Sequence, residues 1–265
     1  MATRTSKSIS HARHTRKTDF PSSTEASRIT QLLTKCASCE LRELCAPCCE
    51  LTPAEMGMAD RLAVSHQRLQ PGEPLYRTGD KFTSLYAVRS GFFKITALLE
   101  QSTGQITGFS MAGDVLGLDG IAGDIHTVTA VALDDSLVCA IPFANLLKLA
   151  HELPSLQRQI ARLISRELVR EQGVRLLLGN LNAEERVAGF LINLAQRFAA
   201  NGYSPSEFHL RMSRRDLGSY LCLTVETVSR TFSNLQEKGL IEVQQKLVRI
   251  KDHAGLERIL RRGLE

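Results

Sequence analysis

Ser213-Arg-Arg-Asp216-Leu-Gly-Ser-Tyr-Leu-Cys222-Leu-Thr224-Val-Glu-Thr-Val-Ser-Arg230-Thr-Phe-Ser-Asn-Leu-Gln-Glu-Lys-Gly239 marks its own helix boundaries. Ser213 is placed to cap a first helix, with Asp216 answering from the third helical position and Leu217 and Leu221 supplying its buried face. After a short connection through Cys222, Thr224 is a second N-cap, and Gly239 can take the left-handed conformation that closes the next helix. Two short helices joined this way predict a helix-turn-helix. In the second helix Val225, Val228 and Phe232 are expected on one face, and Glu226, Ser229 and Arg230 on the other.

Polar groups near the N-terminal end of such a helix are placed to read a DNA groove. An arginine such as Arg230 can donate twice to guanine, Glu226 can accept from cytosine N4, and Ser229 is adaptable. The bland alternative is that Glu226 and Arg230 form a solvated i,i+4 pair. Beyond Gly239, Leu240–Val243 and Leu247–Ile250 predict a hairpin, a wing, around Gln244-Gln245-Lys246. Arg211, Arg214, Arg215, Lys238, Lys246 and Lys251 supply phosphate attraction, with Arg214, Arg215, Thr224 and Thr227 as the expected phosphate contacts.

Upstream, Asn182-Ala-Glu-Glu185 is a capping box for a helix through about Ala200. Before it, Pro154 suits the first turn of a long helix, along which Ala161, Ile164 and Leu168 recur at the spacing of a seam between two helices. Heptad steps carry that seam to Glu171 and Arg175, where apolar residues are expected. Two copies of Glu171 near a dimer axis would repel; the alternative is a helix leaving into solvent.

From about residue 65 to Pro142 the texture is different. Short apolar-alternating runs (Ser84–Arg89, Phe92–Thr96, Thr127–Val131, Ser136–Ile141) lie between turns such as Pro71-Gly72, Gly79-Asp80 and Gly113-Asp114. This pattern predicts an antiparallel barrel or jelly roll. A short helix is expected at 56–64.

Five of the seven cysteines fall between Cys36 and Cys49. Thiols this dense point to metal or redox chemistry, because cysteine otherwise disperses through cores as a small hydrophobe. The remaining two are Cys139 and Cys222. Cys139, in a strand and facing as Leu137 and Ile141 do, reads on residue pattern alone as a core cysteine. The odd cysteine total, the absence of a signal-peptide apolar core behind the basic N-terminus and the lack of a membrane-spanning run predict a cytoplasmic chain. A net charge of +5 is compatible with a polyanionic partner and too mild to require one.

Several strings together resemble the CRP/FNR superfamily of bacterial transcription regulators, and more narrowly its FNR group: Ser84-Leu-Tyr-Ala-Val-Arg-Ser-Gly91, Gln105-Ile-Thr-Gly-Phe109, Ala112-Gly-Asp114, Val138-Cys-Ala-Ile-Pro-Phe143, Asn182-Ala-Glu-Glu-Arg186 and Thr224–Arg230. The chain is expected to be α+β in five parts. Composition without hydrophobic periodicity makes 1–35 a disordered basic tail; for the rest the resemblance implies a cysteine cluster-binding segment (36–50), a β-roll sensor like a cyclic-nucleotide-binding jelly roll (51–150), a dimerisation helix (151–180) and a winged helix-turn-helix (181–265). It also implies a homodimer on a two-fold symmetric operator of double-stranded DNA, with half-sites resembling TTGAT, and RNA polymerase as a partner.

FNR proteins hold a [4Fe-4S] cluster through a Cys-x2-Cys-x5-Cys run and a fourth cysteine in the roll. Cys36, Cys39 and Cys45 match the run and Cys139 the distant ligand, and four thiolates are the complement such a cluster takes. Zinc is the competing occupant, since four cysteines also make a closed structural site; a thiol–disulfide redox module in the same fold is the other alternative, and an electron-transfer protein a remote one. Cys48 and Cys49 have no counterpart. Cys222 stands where relatives often have glycine and is strained if that position needs a positive φ. No cyclic nucleotide is expected: the positions that grip it in CRP-type members are here Gly117-Leu118 and Val128-Thr129, which offer neither the carboxylate nor the guanidinium. No nicotinamide, flavin or catalytic-triad pattern accompanies the thiols, so the chain is expected not to be an enzyme.

Overall fold

The computed structural model describes residues 65–98, 104–179 and 181–262. The tail, the helix expected at 56–64, Cys36, Cys39, Cys45, Cys48 and Cys49 lie outside them.

The first described half is a roll of two antiparallel four-stranded sheets. Strands β1 (Ser65–Leu69), β8 (Ser136–Pro142), β3 (Ser84–Ser90) and β6 (Val115–Leu116) form one, in that order; β2 (Pro74–Tyr76), β7 (Val128–Ala132), β4 (Phe92–Ala97) and β5 (Gln105–Met111) form the other. Alternating side chains from the two sheets meet in a core of Leu69, Val88, Phe93, Ala130, Ala132 and Val138. The β3–β4 turn depends on Gly91: at φ 97° its missing Cβ would fall 2.0 Å from Ser136 Oγ, so no other residue fits there.

The helical half begins with α1 (Phe143–Glu152) and α2 (Pro154–Gly179), the latter starting at the proline that permits it. Its 26 residues run about 39 Å at 1.5 Å per residue. Helix α3 (Ala183–Ala200) follows, then β9 (Glu207–His209), α4 (Arg214–Leu221), α5 (Val225–Glu237), the hairpin β10 (Ile241–Gln244) and β11 (Leu247–Ile250), and α6 (His253–Arg262). The α3 capping box forms as expected. Asn182 Oδ1 accepts from the amides of Glu184 and Glu185 at 2.9 and 3.1 Å, and Glu185 Oε2 accepts from the Asn182 amide at 2.8 Å.

The two halves share one apolar core. Phe92, Ile106, Phe109 and Met111 on the outer face of β4–β5 pack with Phe190, Leu191, Leu217, Leu221 and their neighbours. Phe109 meets Tyr220 and Phe190 edge-on, at ring-centroid distances of 5.2 and 6.2 Å. The roll thereby fixes where α3 and α4 sit.

Candidate nucleic-acid interface and metal centre

The helix-turn-helix is built by the caps that the sequence carries. Ser213 Oγ accepts from the Asp216 amide at 3.0 Å and Asp216 Oδ2 accepts from the Ser213 amide at 2.9 Å. Burial pushes the Asp216 carboxyl up, but hydrogen bonds from the Ser213 hydroxyl and amide and from Lys94 outweigh it and hold it below the usual carboxylate range. Helix α4 ends at Cys222 with φ 54° and ψ 46°, the left-handed geometry in which a cysteine is strained. Leu223 N donates back to Gly218 O at 2.9 Å. The turn passes so close that a Cβ on Gly218 would sit 2.7 Å from Leu223 O. Thr224 Oγ1 then accepts from the Thr227 amide at 3.1 Å and starts α5, and the helix closes on Gly239 at φ 70°.

On α5, Val228, Thr231, Phe232 and Leu235 are buried, and Glu226, Ser229 and Arg230 are exposed. Val225, expected among the buried set, is 38% exposed. It occupies the first helical position, ahead of the turn that packs, and the buried face is completed by Thr231 and Leu235, a turn further on. Among the described residues no ion pair joins Glu226 to Arg230, so both side chains stand available outward. The Ser229 hydroxyl donates to Val225 O at 2.9 Å and would have to turn away to meet a base.

The expected phosphate contacts differ in state. Arg215 and Thr224 are exposed, and Thr227 is half-buried. Arg214 lies over Phe232, with its guanidinium carbon 3.4 Å from the ring centroid. Its Nη1 is buried without a hydrogen bond, and burial pushes its pKa down to about 10. Three of the other basic residues carry ion-pair partners: Arg211 with Asp134 at 3.1 Å, Lys251 with Glu242 at 2.9 Å, and Lys238 with Glu184. Their contribution to phosphate attraction is correspondingly muted. Sequence pattern did not show this, because each pair joins separate elements.

Of the proposed thiolate set only Cys139 lies among the described residues. It is buried on β8, opposite His66 of β1 and Ala87 of β3. It belongs to an apolar cluster with Leu85, Ile141, Leu146 and Leu156, against which Ile160 and Leu163 also pack. Leu156, Ile160 and Leu163 are residues of α2. No group of three or more His, Cys, Asp or Glu side chains is gathered for a metal among the described residues. Cys139 thus sits as the core cysteine that residue pattern alone suggested; as a soft thiol it is also the donor type that iron–sulfur clusters take.

Along α2 the seam residues Ala161, Ile164 and Leu168 face outward, Leu168 being 61% exposed. Val169 and Leu176 extend this exposed apolar surface. Glu171 is half-buried; with Glu167 and Arg170 it lines a cavity of about 200 Å³ between α2 and the roll. Gly117, Leu118 and Val128 line the same cavity. Beside those acids it contains the Asp119 carboxylate and the Arg170 guanidinium, which local reading missed, and both of these are committed. Asp119 accepts from the amides of Thr127 and Val128 at 2.8 and 3.3 Å, and Arg170 pairs with Asp114 and Glu167 at 3.2 and 2.8 Å. No helix among the described residues is long and apolar enough to cross a membrane.

Residues 66–152 match the cyclic nucleotide-binding domain model and residues 185–259 the Crp-like helix-turn-helix domain model. The chain is 43% identical over 221 residues to the fumarate and nitrate reduction regulatory protein of Vibrio cholerae, covering 83% of this chain and 88% of that relative. It is 45% identical over 218 residues to electron transport regulator A of Shewanella oneidensis, covering 82% and 87%. Among solved structures, FixK2 from Bradyrhizobium japonicum is similar with a TM-score of 0.68 at 30% identity, over 74% of this chain and 96% of that one.

Proposed function

Since the chain belongs to the CRP/FNR family of transcription regulators, in its fumarate and nitrate reduction group, we propose that it is an oxygen-responsive regulator in which thiolate-held iron and sulfur promote dimerisation and operator binding under low oxygen. The observation that carries this reading is the place of Cys139. Its side chain shares one apolar cluster with Leu156, Ile160 and Leu163, so an event at the thiol is felt by the N-terminal half of the long helix.

Cys36, Cys39, Cys45 and Cys139 would be the ligands. A [4Fe-4S] cluster bound there supplies an oxygen-labile tie between residues 36–45 and the roll. The protein's own part is mechanical. Cys139 and its neighbours set the packing of α2; Ala161, Ile164 and Leu168 present an apolar stripe to a second copy; and Glu171, half-buried on the roll side of that stripe, would oppose its twin where it reaches the edge. A dimer that two carboxylates make marginal is one that a modest change of packing can switch. Only the dimer spans two half-sites, so operator affinity follows.

Glu226, Ser229 and Arg230 would read bases, with Arg214, Arg215, Thr224 and Thr227 on phosphate. RNA polymerase would be the further partner, which places the protein in the cytoplasm. Arg170 is held by Asp114 and Glu167 and the Asp119 carboxylate by backbone amides, which argues against a cyclic nucleotide as the effector.

The test is operator binding by anaerobically purified protein before and after air, with the visible spectrum recorded alongside. Wild type should be coloured and bind DNA, losing both in air, and Cys139→Ala should do neither. A colourless protein loaded with zinc, or operator binding by Cys139→Ala that still responds to air, overturns the reading.

A further inference from the structure

The charged contacts that fasten α2 and α3 to the roll meet at Asp114, in the turn between β5 and β6. Its Oδ1 accepts from Arg170 Nη1 of α2 at 3.2 Å. Its Oδ2 accepts from the Met111 amide at 2.8 Å and from Arg197 Nη2 of α3. Each arginine is fixed a second time: Arg170 Nη2 by Glu167 at 2.8 Å, and Arg197 Nη1 by Phe109 O at 3.1 Å. Asn201 Nδ2 donates to Ala112 O at 2.6 Å, so the same turn holds the end of α3 twice.

We propose that Asp114 is a positioning residue that couples the long helix to the DNA-reading helices, through one carboxylate shared by Arg170 and Arg197. The Asp114 side chain is only 20% exposed, so solvent screens these charges less than it would at an open surface. Two guanidiniums on one carboxylate also repel each other. When α2 shifts and draws Arg170 away, the full charge of Asp114 falls on Arg197 and α3 is held harder; when Arg170 returns, that hold relaxes.

Helix α3 passes the change on, because Val187, Leu191 and Leu194 share a core with Leu217 and Leu221 of α4 and Val228 of α5. Helix α4 is tied to the roll at both ends, by Lys94 to Asp216 at 3.0 Å and by Ile106 N to Ser219 Oγ at 3.0 Å. A change in the grip on α3 therefore changes how α4 and α5 are seated on those ties. The link runs through side chains of α2, α3 and the roll alone and needs neither iron nor DNA.

The experiment is amide hydrogen exchange on the full-length protein, comparing wild type with Arg170→Met, Arg170→Lys, Arg197→Met and the Arg170→Met/Arg197→Met double variant. The reporters are the amides that close α3: Asn201, Gly202 and Tyr203, bonded to Arg197 O, Ala199 O and Phe198 O at 3.2, 3.0 and 2.9 Å. Sharing predicts that Arg170→Met slows their exchange by about tenfold while α2 itself exchanges faster. Arg170→Lys, which keeps the charge, should stay near wild type, and the slowing should vanish when Arg197 is already methionine. A merely structural clamp has the opposite sign: its loss speeds exchange at residues 201–203. Faster or unchanged exchange there, or slowing that persists in the double variant, overturns the proposal. If Arg170→Met does not fold by circular dichroism, Arg170→Gln, neutral but able to donate, reads the same signs.

Discussion

Helices α2 and α3 follow one another in the chain and finish in opposite conditions. Of the 26 residues of α2 only Ser155, Leu156 and Gln159 are buried, and two of those three are polar. Of the 18 in α3, the run from Val187 to Ile192 together with Leu194 and Ala195 is buried. Helix α3 has its partners inside one chain: the roll's Phe109, the helix-turn-helix and α6. Helix α2 presents Leu168, Val169 and Leu176, each more than 60% exposed, and nothing among the described residues covers them. An apolar surface of that kind marks an association site, so α3 belongs to the stability of the protomer and α2 to its assembly.

The largest effect separates the two directly. Leu191→Ala, at a site with 0% exposure, leaves a cavity in the shared core and should cost about 2–5 kcal/mol of unfolding free energy. Leu168→Ala should change the stability of dilute protomer by no more than about 0.5 kcal/mol, while weakening self-association in sedimentation. Urea melts at low protein concentration measure both. A Leu168 variant that melts as early as the Leu191 variant would mean that α2 is already covered within the protomer.

The contrast was partly legible in the sequence, and where it was not the reason is physical. Caps are local: Asn182, Ser213, Thr224 and Gly239 lie within four residues of the groups they satisfy, so the helix boundaries followed from pattern. The strain at Cys222 was expected from the resemblance, on the condition that the position where relatives often have glycine needs a positive φ, and its φ of 54° meets that condition. The exposed seam at Ala161, Ile164 and Leu168 was visible as periodicity. What pattern did not show was pairing across elements. The grip of Asp114 on Arg170 and Arg197, and the stacking of Arg214 on Phe232, join residues whose spacing carries no period. Val225 was misplaced because a helix's first residue follows its cap and not its apolar stripe. The cysteine run between 36 and 49 remains a sequence inference, as it lies outside the described residues.

A smaller effect tests the inner face of α2. Burial, only partly offset by Arg170, pushes the Glu167 carboxyl above its ordinary range. An acid whose folded pKa lies above its unfolded one contributes stability that is complete below the unfolded value and is lost as pH rises through the folded value. Wild type should therefore lose stability relative to Glu167→Gln as pH climbs from about 4 toward neutrality, with a level difference beyond. Thermal midpoints of the two proteins across that range decide it. A difference that shrinks as pH rises would mean that the pair with Arg170 outweighs burial, and that α2 is held to the roll more firmly than its exposure implies.

The smallest effect comes from one glycine in each helix. Gly173 of α2 has nothing within 4 Å of where a Cβ would stand, whereas a Cβ on Gly189 of α3 would fall 2.5 Å from Leu177 Cδ1 and 3.2 Å from Leu260 Cδ1. Alanine in an open helix interior is worth about 0.5–1 kcal/mol over glycine, so Gly173→Ala should raise stability by that amount. Gly189→Ala gains the same backbone term but must displace Leu177, the residue through which the end of α2 rests on α3. The flexible tip of a leucine can move, so the expected result is a net change near zero or a small loss, not unfolding. Chemical melts of the two variants under one set of conditions give the comparison its finest reading. Opposite signs mean that the surfaces of α2 and α3 are as unlike at a single methyl group as they are over their whole lengths. A stabilising Gly189→Ala would show that the contact between the two helices is loose enough to admit that methyl group, and that the end of α2 is free to move without disturbing α3.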